Sequence, residues 1–221
     1  MLFSLIKENL KLTLPILLTR LLGMASNAIA MVLMAKLGTE ALSASALIMG
    51  IFSVCVLLVM SFSFSLCALV AEASGSNNDV KVGSLVFSSL LLNTMLAIPF
   101  MVFFHYISPV LIWLGQPPRV ACLVGLYFQG MLVGYLPMIW ASILEQVFIG
   151  ISRPGYIMQL SIISLVVMPL LSSILMFGKF GFPSFGILGA GYAVSAMSVI
   201  SLFFLLSVIG IKRWHKQYSL F

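Results

Sequence analysis

Charged residues are scarce in this sequence of 221 residues, at 7% of positions, whereas hydrophobic residues make up 62%. Soluble domains carry roughly 25% charged residues, which keep their surfaces in water. A soluble fold of this size would have too few charges to cover its surface. The composition therefore excludes an ordinary water-soluble domain and favours a protein that is surrounded by lipid.

The sequence also lacks the residue groups that hold metals or catalyse reactions. Cys55, Cys67 and Cys122 lie in or beside apolar runs, with no CxxC pair and no His/Cys cluster. This pattern supports neither a disulfide framework nor a zinc site. There is no HExxH motif, no GxSxG motif and no pair of carboxylates at helical spacing. We therefore expect neither an enzyme nor a bound cofactor.

Six long apolar runs dominate the chain instead, and each can hold a helix of about 20 residues or more, the length that crosses a bilayer. Backbone groups in lipid must bond internally, and the runs lack the alternation of a membrane barrel, so we predict helices. The prediction is one all-α integral membrane domain over residues 1–221, with transmembrane helices near 12–35, 41–71, 84–106, 120–149, 156–177 and 187–210. We expect a polar loop at 72–83 and a proline-containing connector at 108–119.

Basic residues predict the orientation of these helices. Cytoplasmic loops are enriched in Lys and Arg, and this bias sets the topology of a membrane protein. With the N-terminus inside, cytoplasmic segments hold Lys7, Lys11, Lys81, Arg153, Lys212, Arg213 and Lys216, and outside segments hold Lys36, Arg119 and Lys179. We therefore predict a multi-pass protein of the cell membrane with both termini in the cytoplasm. The scattered cations form no basic face for nucleic acid.

Two ionisable residues fall inside the predicted helices, where charges are costly and mark functional positions. Arg20 lies in the first helix and Glu145 in the fourth, both in the predicted cytoplasmic half. One hypothesis is that they face a common interior and pair. The alternative is that Arg20 extends to the inner interface and Glu145 simply marks that interface.

Polar and small residues inside the helices allow two further expectations. Asn27 and Gln129 can bond between helices, which is the commoner role, or line a substrate path. Gly189, Ala193 and Met197 are spaced four apart in the last helix, and small residues at such spacing let helices pack closely. We expect helix packing at that stripe.

Three segments resemble the multidrug and toxic compound extrusion (MATE) family. LTLPILLTRLLGMASNAIAMVLMAKLGTEALSA, at 12–44, resembles the family's first helix and first loop. IGISRPGYIM, at 149–158, resembles the loop after its fourth helix, and FGKFGFPSFGILGAGYAVS, at 177–195, resembles the loop between its fifth and sixth helices. The last segment is the most specific, and together the three cover nearly the whole chain in order.

The resemblance implies a secondary antiporter that exports drugs and organic cations in exchange for sodium ions or protons. Such proteins have two six-helix lobes with the substrate cavity between them, and alternating access by rocking is usual for such repeats. The chain matches only the N-terminal lobe. The resemblance therefore implies a second lobe, which comes from another chain, from a second copy in a homodimer or from a missing second half.

One position departs from the family pattern. Ala30 stands where the family's first helix usually holds the aspartate that binds the coupling cation. A methyl group binds neither sodium nor a proton, so Glu145 is the substitute acid if it reaches the cavity. If the chain transports, we expect Asn27, Gln129, Trp140 and Glu145 to face the cavity, with Arg20 on the same pathway.

Three alternatives to a working transporter lobe stay open at this point. The chain is a truncated and inactive remnant of such a transporter, a non-transporting membrane scaffold for another protein, or part of a lipid-linked glycan flippase of related fold. A flippase cavity tends to carry several cations for anionic head groups, and Arg20 is a single one.

Overall fold

The computed structural model describes the backbone of residues 2–76 and 78–211 and the side chains of 13–76 and 78–211, except those of Met60 and Phe62. These residues form α1 (Leu2–Ala35), α2 (Thr39–Gly75), α3 (Asp79–His105), α4 (Ile107–Trp113), α5 (Pro118–Gly150), α6 (Gly155–Phe177), a 3₁₀ turn (Lys179–Gly181) and α7 (Ile187–Ile211). Six of the helices in this part of the chain are long and apolar enough to cross a membrane. The all-α fold with six membrane-spanning helices is thus confirmed.

The additional helix, α4, corrects the connector that the sequence predicted at 108–119. Pro117 and Pro118 mark only the start of α5, where a proline is tolerated because the first helical N–H groups have no partner within the helix. The seven residues before that turn form their own short helix, which buries Ile107 and Leu111, four positions apart, in the core. The apolar spacing and not the prolines decides the structure of this segment.

The polar loop predicted at 72–83 is also mostly helical. α2 continues to Gly75 and α3 begins at Asp79, so only residues 76–78 connect them. The Asn78 side chain accepts a hydrogen bond from the Lys81 backbone N–H at 3.1 Å and caps α3. Polar residues here mark where the helices leave the apolar zone, and both helices extend beyond that point.

Five of the long helices form a closed ring. Each packs against the next in the order α1, α6, α7, α5, α2, and a smaller contact between α2 and α1 closes the ring. α3 and α4 lie outside the ring and pack on α5, α3 also against α2. α5 therefore stands at the centre of the bundle, with 17 buried residues of its 33.

The most extensive helix contact joins α5 to α7 and rests on glycines. A Cβ on Gly130, Gly134 or Gly191 would overlap the backbone of the opposite helix, so only glycine permits this approach. The Ser195 hydroxyl accepts from the Gly134 N–H at 2.9 Å and donates to the Gly130 carbonyl at 2.7 Å. The close packing predicted for the small-residue stripe is confirmed at Gly189, which lies equally close to the α6 backbone.

Part of the predicted orientation lies outside the described residues. The structure does not describe the side chains of Lys7 and Lys11 or any part of residues 212–221. Of the described cations, Lys81 and Arg153 lie at the end of the bundle where α1 begins, and Lys36, Arg119 and Lys179 lie at the opposite end. The cytoplasmic location of the termini stays a prediction.

Candidate site: an internal cavity

The helix ring surrounds an open cavity of about 560 Å³. All five ring helices contribute side chains to its wall, α1 through residues 23–34 and α5 through 127–145. The volume falls within the roughly 300–1,000 Å³ that is typical of small-molecule sites. The fold thus provides one lobe with an interior space of ligand size.

Thioethers and hydroxyls dominate the cavity wall. Methionine is unbranched and polarisable, so it adapts to ligands of different shape. The methionines of the wall are Met31, Met34, Met49, Met138, Met168 and Met197, and the serines are Ser26, Ser45, Ser53, Ser142, Ser164, Ser198 and Ser201.

The serine hydroxyls present mainly acceptor atoms to this space. Five of them donate their proton to a backbone carbonyl three or four residues earlier in their own helix, as Ser142 does to Ile139 at 2.7 Å. Their oxygen lone pairs remain available. A wall rich in free acceptors and soft sulfur atoms suits a ligand that carries positive charge and apolar surface.

Glu145 adds a carboxyl group to this wall. Among the described residues that line the cavity it is the only acidic or basic side chain. Ala141 and Ser142 follow Met138 by three and four positions, and Glu145 follows them by four and three, so the four residues share one face of α5. A carboxylate in an apolar cavity favours a cationic partner.

α1 brings two of the residues that the sequence analysis singled out to the cavity. Asn27 and Ala30 both line it, together with Gly23 and Met34, at helical spacing. The position at which the family usually holds an aspartate therefore faces the cavity in this chain, but as a methyl group. Glu145, on the opposite wall, is the acid available to the same space.

Gln129 and Trp140 do not line the cavity, and here the sequence expectation needs correction. Gln129 is exposed on the outer side of α5, two positions from the cavity-lining Tyr127 and hence on the opposite face of the helix. Trp140 points to α3, where its Nε1–H donates to the Thr94 hydroxyl at 2.9 Å. Neither the polarity of Gln129 nor the depth of Trp140 within its helix identifies the inward face of that helix.

Arg20 lies in a second cavity, of about 440 Å³, nearer the end of the bundle where α1 begins. The two cavities share Ser53, Val56, Ser142 and Glu145, so Glu145 stands at their junction. Arg20 and Glu145 do face a common space. They do not pair directly, since the described part of the chain has ion pairs only between Lys81 and Glu72 and between Arg119 and Glu40, each at 3.4 Å.

The methionines and serines of the wall were not predicted from the sequence. Both residue types are common in membrane helices, where methionine is usually assigned to the packed core and serine to hydrogen bonds between helices. A usable pattern was present: Gly23, Asn27, Ala30 and Met34 repeat every three or four residues along α1. Extending that face by the same spacing identifies the α1 wall.

Comparison with known proteins shows which family this chain belongs to and how much of its relatives' length it covers. The MatE family model matches residues 15–175. A probable multidrug resistance protein NorM of Agrobacterium fabrum is 31% identical over 225 residues, covering 99% of this chain and 47% of the relative. A protein of the same name from a Synechocystis species is 32% identical, covering 97% of this chain and 47% of the relative. The chain thus spans about half the length of these curated relatives.

Solved structures show the same fold. The crystal structure of the eukaryotic MATE transporter AtDTX14 superimposes with a TM-score of 0.86 at 21% identity, covering 96% of this chain and 48% of that one. An outward-facing multidrug resistance MATE family transporter of the MOP superfamily gives a TM-score of 0.83 at 18% identity, with 94% and 45% coverage. The six-helix bundle corresponds to about half of each structure.

Proposed function

Because this chain belongs to the MatE family, we propose that it forms one lobe of a secondary transporter that exports drugs and other organic cations. The observation that carries the proposal is the 560 Å³ cavity with its acceptor-rich, methionine-lined wall and a single carboxyl group. Such a wall binds flat or bulky cations through dispersion, hydrogen bonding and one charge contact. The proposed protein is a transporter and not an enzyme.

Glu145 is the proposed coupling group. Ala30 cannot hold a proton or sodium ion, whereas Glu145 reaches the cavity from the opposite wall. An exported cation and a returning proton or sodium ion would then compete for one carboxylate, and this competition couples their movements. The predicted path also includes Asn27 in the cavity and Arg20 beyond the junction.

A second lobe completes the proposed transporter. The chain covers 47% of the first relatives, and related transporters alternate access by moving one bundle against another. The second lobe is a continuation of the same polypeptide, another polypeptide or a second copy of this chain. The predicted topology assigns seven Lys and Arg residues to cytoplasmic segments and three to outside segments, which supports cytoplasmic termini in the cell membrane.

Dye accumulation in cells tests the proposal against an inactive remnant or a scaffold. We expect cells that make this chain together with a second lobe from a full-length relative to retain less ethidium than cells that make either part alone. Collapsing the proton gradient, or the sodium gradient, should restore retention and thereby identify the coupling ion. A homodimer would lower retention with this chain alone.

Membrane insertion and co-purification of both parts serve as controls in that experiment. Unchanged dye retention, despite inserted and assembled protein, would contradict a transporter lobe and support the remnant. Stable capture of one unrelated membrane protein without any efflux would support the scaffold.

A further inference from the structure

The second cavity contains polar side chains that have no partner within the described protein. Arg20, Glu145 and Gln146 line it, and none of them makes a side-chain hydrogen bond or ion pair there. Gln146 is only 8% exposed. The Gln146 amide atoms stay accessible to the cavity, because Tyr135 Oη is the only enclosed side-chain polar atom without a partner among the described residues. Arg20 is exposed on α1, so its guanidinium is also accessible to a ligand in this cavity. Three polar side chains that line one cavity without hydrogen bonds to the protein can together contact a polar ligand.

The hydroxyls in the same wall supply acceptors only. Thr19 donates to the Pro15 carbonyl at 2.8 Å, Ser53 to Met49 at 2.6 Å and Ser142 to Ile139 at 2.7 Å. The free donors are therefore the Arg20 guanidinium and the Gln146 amide, and the free acceptors are the Glu145 carboxylate and hydroxyl oxygens. The ligand that satisfies both sets carries an anionic group and a cationic donor.

We propose that this cavity binds the ammonium–phosphate headgroup of a zwitterionic phospholipid, with phosphate at Arg20 and Gln146 and ammonium at Glu145. Guanidinium groups bind phosphate through two parallel hydrogen bonds, which gives the contact both strength and direction. One positive and one negative side chain leave the wall without net charge. A zwitterion matches that balance, whereas a purely anionic headgroup would face the Glu145 carboxylate.

The position of the cavity favours a lipid over a soluble zwitterion. Its wall reaches Pro154 in the connection after α5, and Glu145 lies about 7 Å from the end of that helix at 1.5 Å per residue. α5, with 33 residues, is about 50 Å long, so its ends extend through the headgroup zones of a bilayer 40–45 Å thick. Leu57 and Phe64, 65% and 49% exposed, line the same cavity and offer apolar contact to acyl chains.

Native mass spectrometry of the purified full chain with mixed phospholipids tests this proposal. From equal amounts of phosphatidylethanolamine and phosphatidylglycerol, we expect roughly tenfold preferred binding of the ethanolamine lipid, because only that lipid makes both charge contacts. Phosphatidic acid, which keeps the phosphate and lacks the ammonium, should bind like phosphatidylglycerol. This comparison uses the unaltered chain and does not depend on a variant that folds.

Variants then assign the two charge contacts. R20Q and E145Q should each remove the preference, whereas R119Q, which alters an exposed arginine paired with Glu40, should retain it. R20K should retain part of the preference that R20Q loses, because lysine keeps the positive charge. Size-exclusion profiles of all variants show whether each one remains folded.

Three results would overturn the proposal. Equal or stronger binding of phosphatidylglycerol would mean that the cavity has no preference for a zwitterion. Loss of binding with R20Q but not with E145Q would assign an anion site instead. Displacement of the lipid by free glycerophosphoethanolamine at equal concentration would assign the cavity to a soluble zwitterion. None of these results depends on efflux, so they leave the proposed transport function separately testable.

Discussion

We expect E145Q to lower gradient-driven efflux of an organic cation by roughly 10- to 100-fold in cells that make this chain with the proposed second lobe. Glutamine has nearly the same shape but neither holds a negative charge nor exchanges a proton. A hydrogen bond to a charged group is worth about 1.5–3 kcal/mol, and each 1.4 kcal/mol is a factor of ten in affinity. Because Glu145 is the only acidic or basic group among the described cavity residues, no neighbour replaces it.

E40Q is the matched control for this substitution. Glu40 lies in the first turn of α2 and pairs with Arg119 at 3.4 Å on the exposed surface. Exposed pairs of this kind contribute at most about 1 kcal/mol to stability, so efflux by E40Q should equal that of the unaltered chain. Equal activity of E145Q and E40Q, at equal membrane content, would show that Glu145 neither binds the substrate nor couples its export.

G191V prevents α7 from packing against α5. A Cβ at Gly191 would overlap the Tyr127 carbonyl, and the helix backbone cannot move aside as a flexible side chain does. Overpacking a protein interior typically lowers the free energy of unfolding by about 1–3 kcal/mol. We expect G191V to lie at the upper end, because the clashing atom belongs to the helix backbone. For a chain of this length we expect the apparent melting temperature to fall by roughly 6–12 °C, together with a loss of monodisperse protein.

G210V carries the same substitution in the same helix without the clash. No atom lies within 4 Å of a Cβ built on Gly210. Its melting temperature should therefore match that of the unaltered chain. A normal melting temperature for G191V would mean that α5 and α7 pack less closely than the structure has them.

Hydropathy predicted the number of membrane helices and their approximate positions, because apolar runs of bilayer length permit few other folds. The ends of the helices were harder to predict. At residues 72–83 the composition changes where the helices leave the apolar zone, while the backbone continues in a helix to Gly75. α4 was missed since a seven-residue helix has too little length for a periodic signal.

The sequence predicted residues of the candidate site mainly where a charged side chain lay within a membrane helix. Arg20 and Glu145 stood out because ionisable groups are costly in membrane helices, and the structure places both beside the cavities. Gln129 was chosen by polarity and Trp140 by its depth within the helix, and the rotation of α5 turns both away from the cavity. That rotation follows from the glycine contacts with α7, which are long-range and invisible in the sequence of α5 alone.

The most direct test of the account is whether an organic cation occupies the cavity inside this lobe. Ser198→Cys, in a chain whose native cysteines are replaced by alanine, places a thiol in the cavity wall. Ser207→Cys, on the exposed side of the same helix, is the control. Tetraphenylphosphonium at four times its dissociation constant should slow maleimide labelling at position 198 roughly fivefold and leave position 207 unchanged. Equal labelling rates at position 198 with and without the cation would contradict the cavity as the binding site.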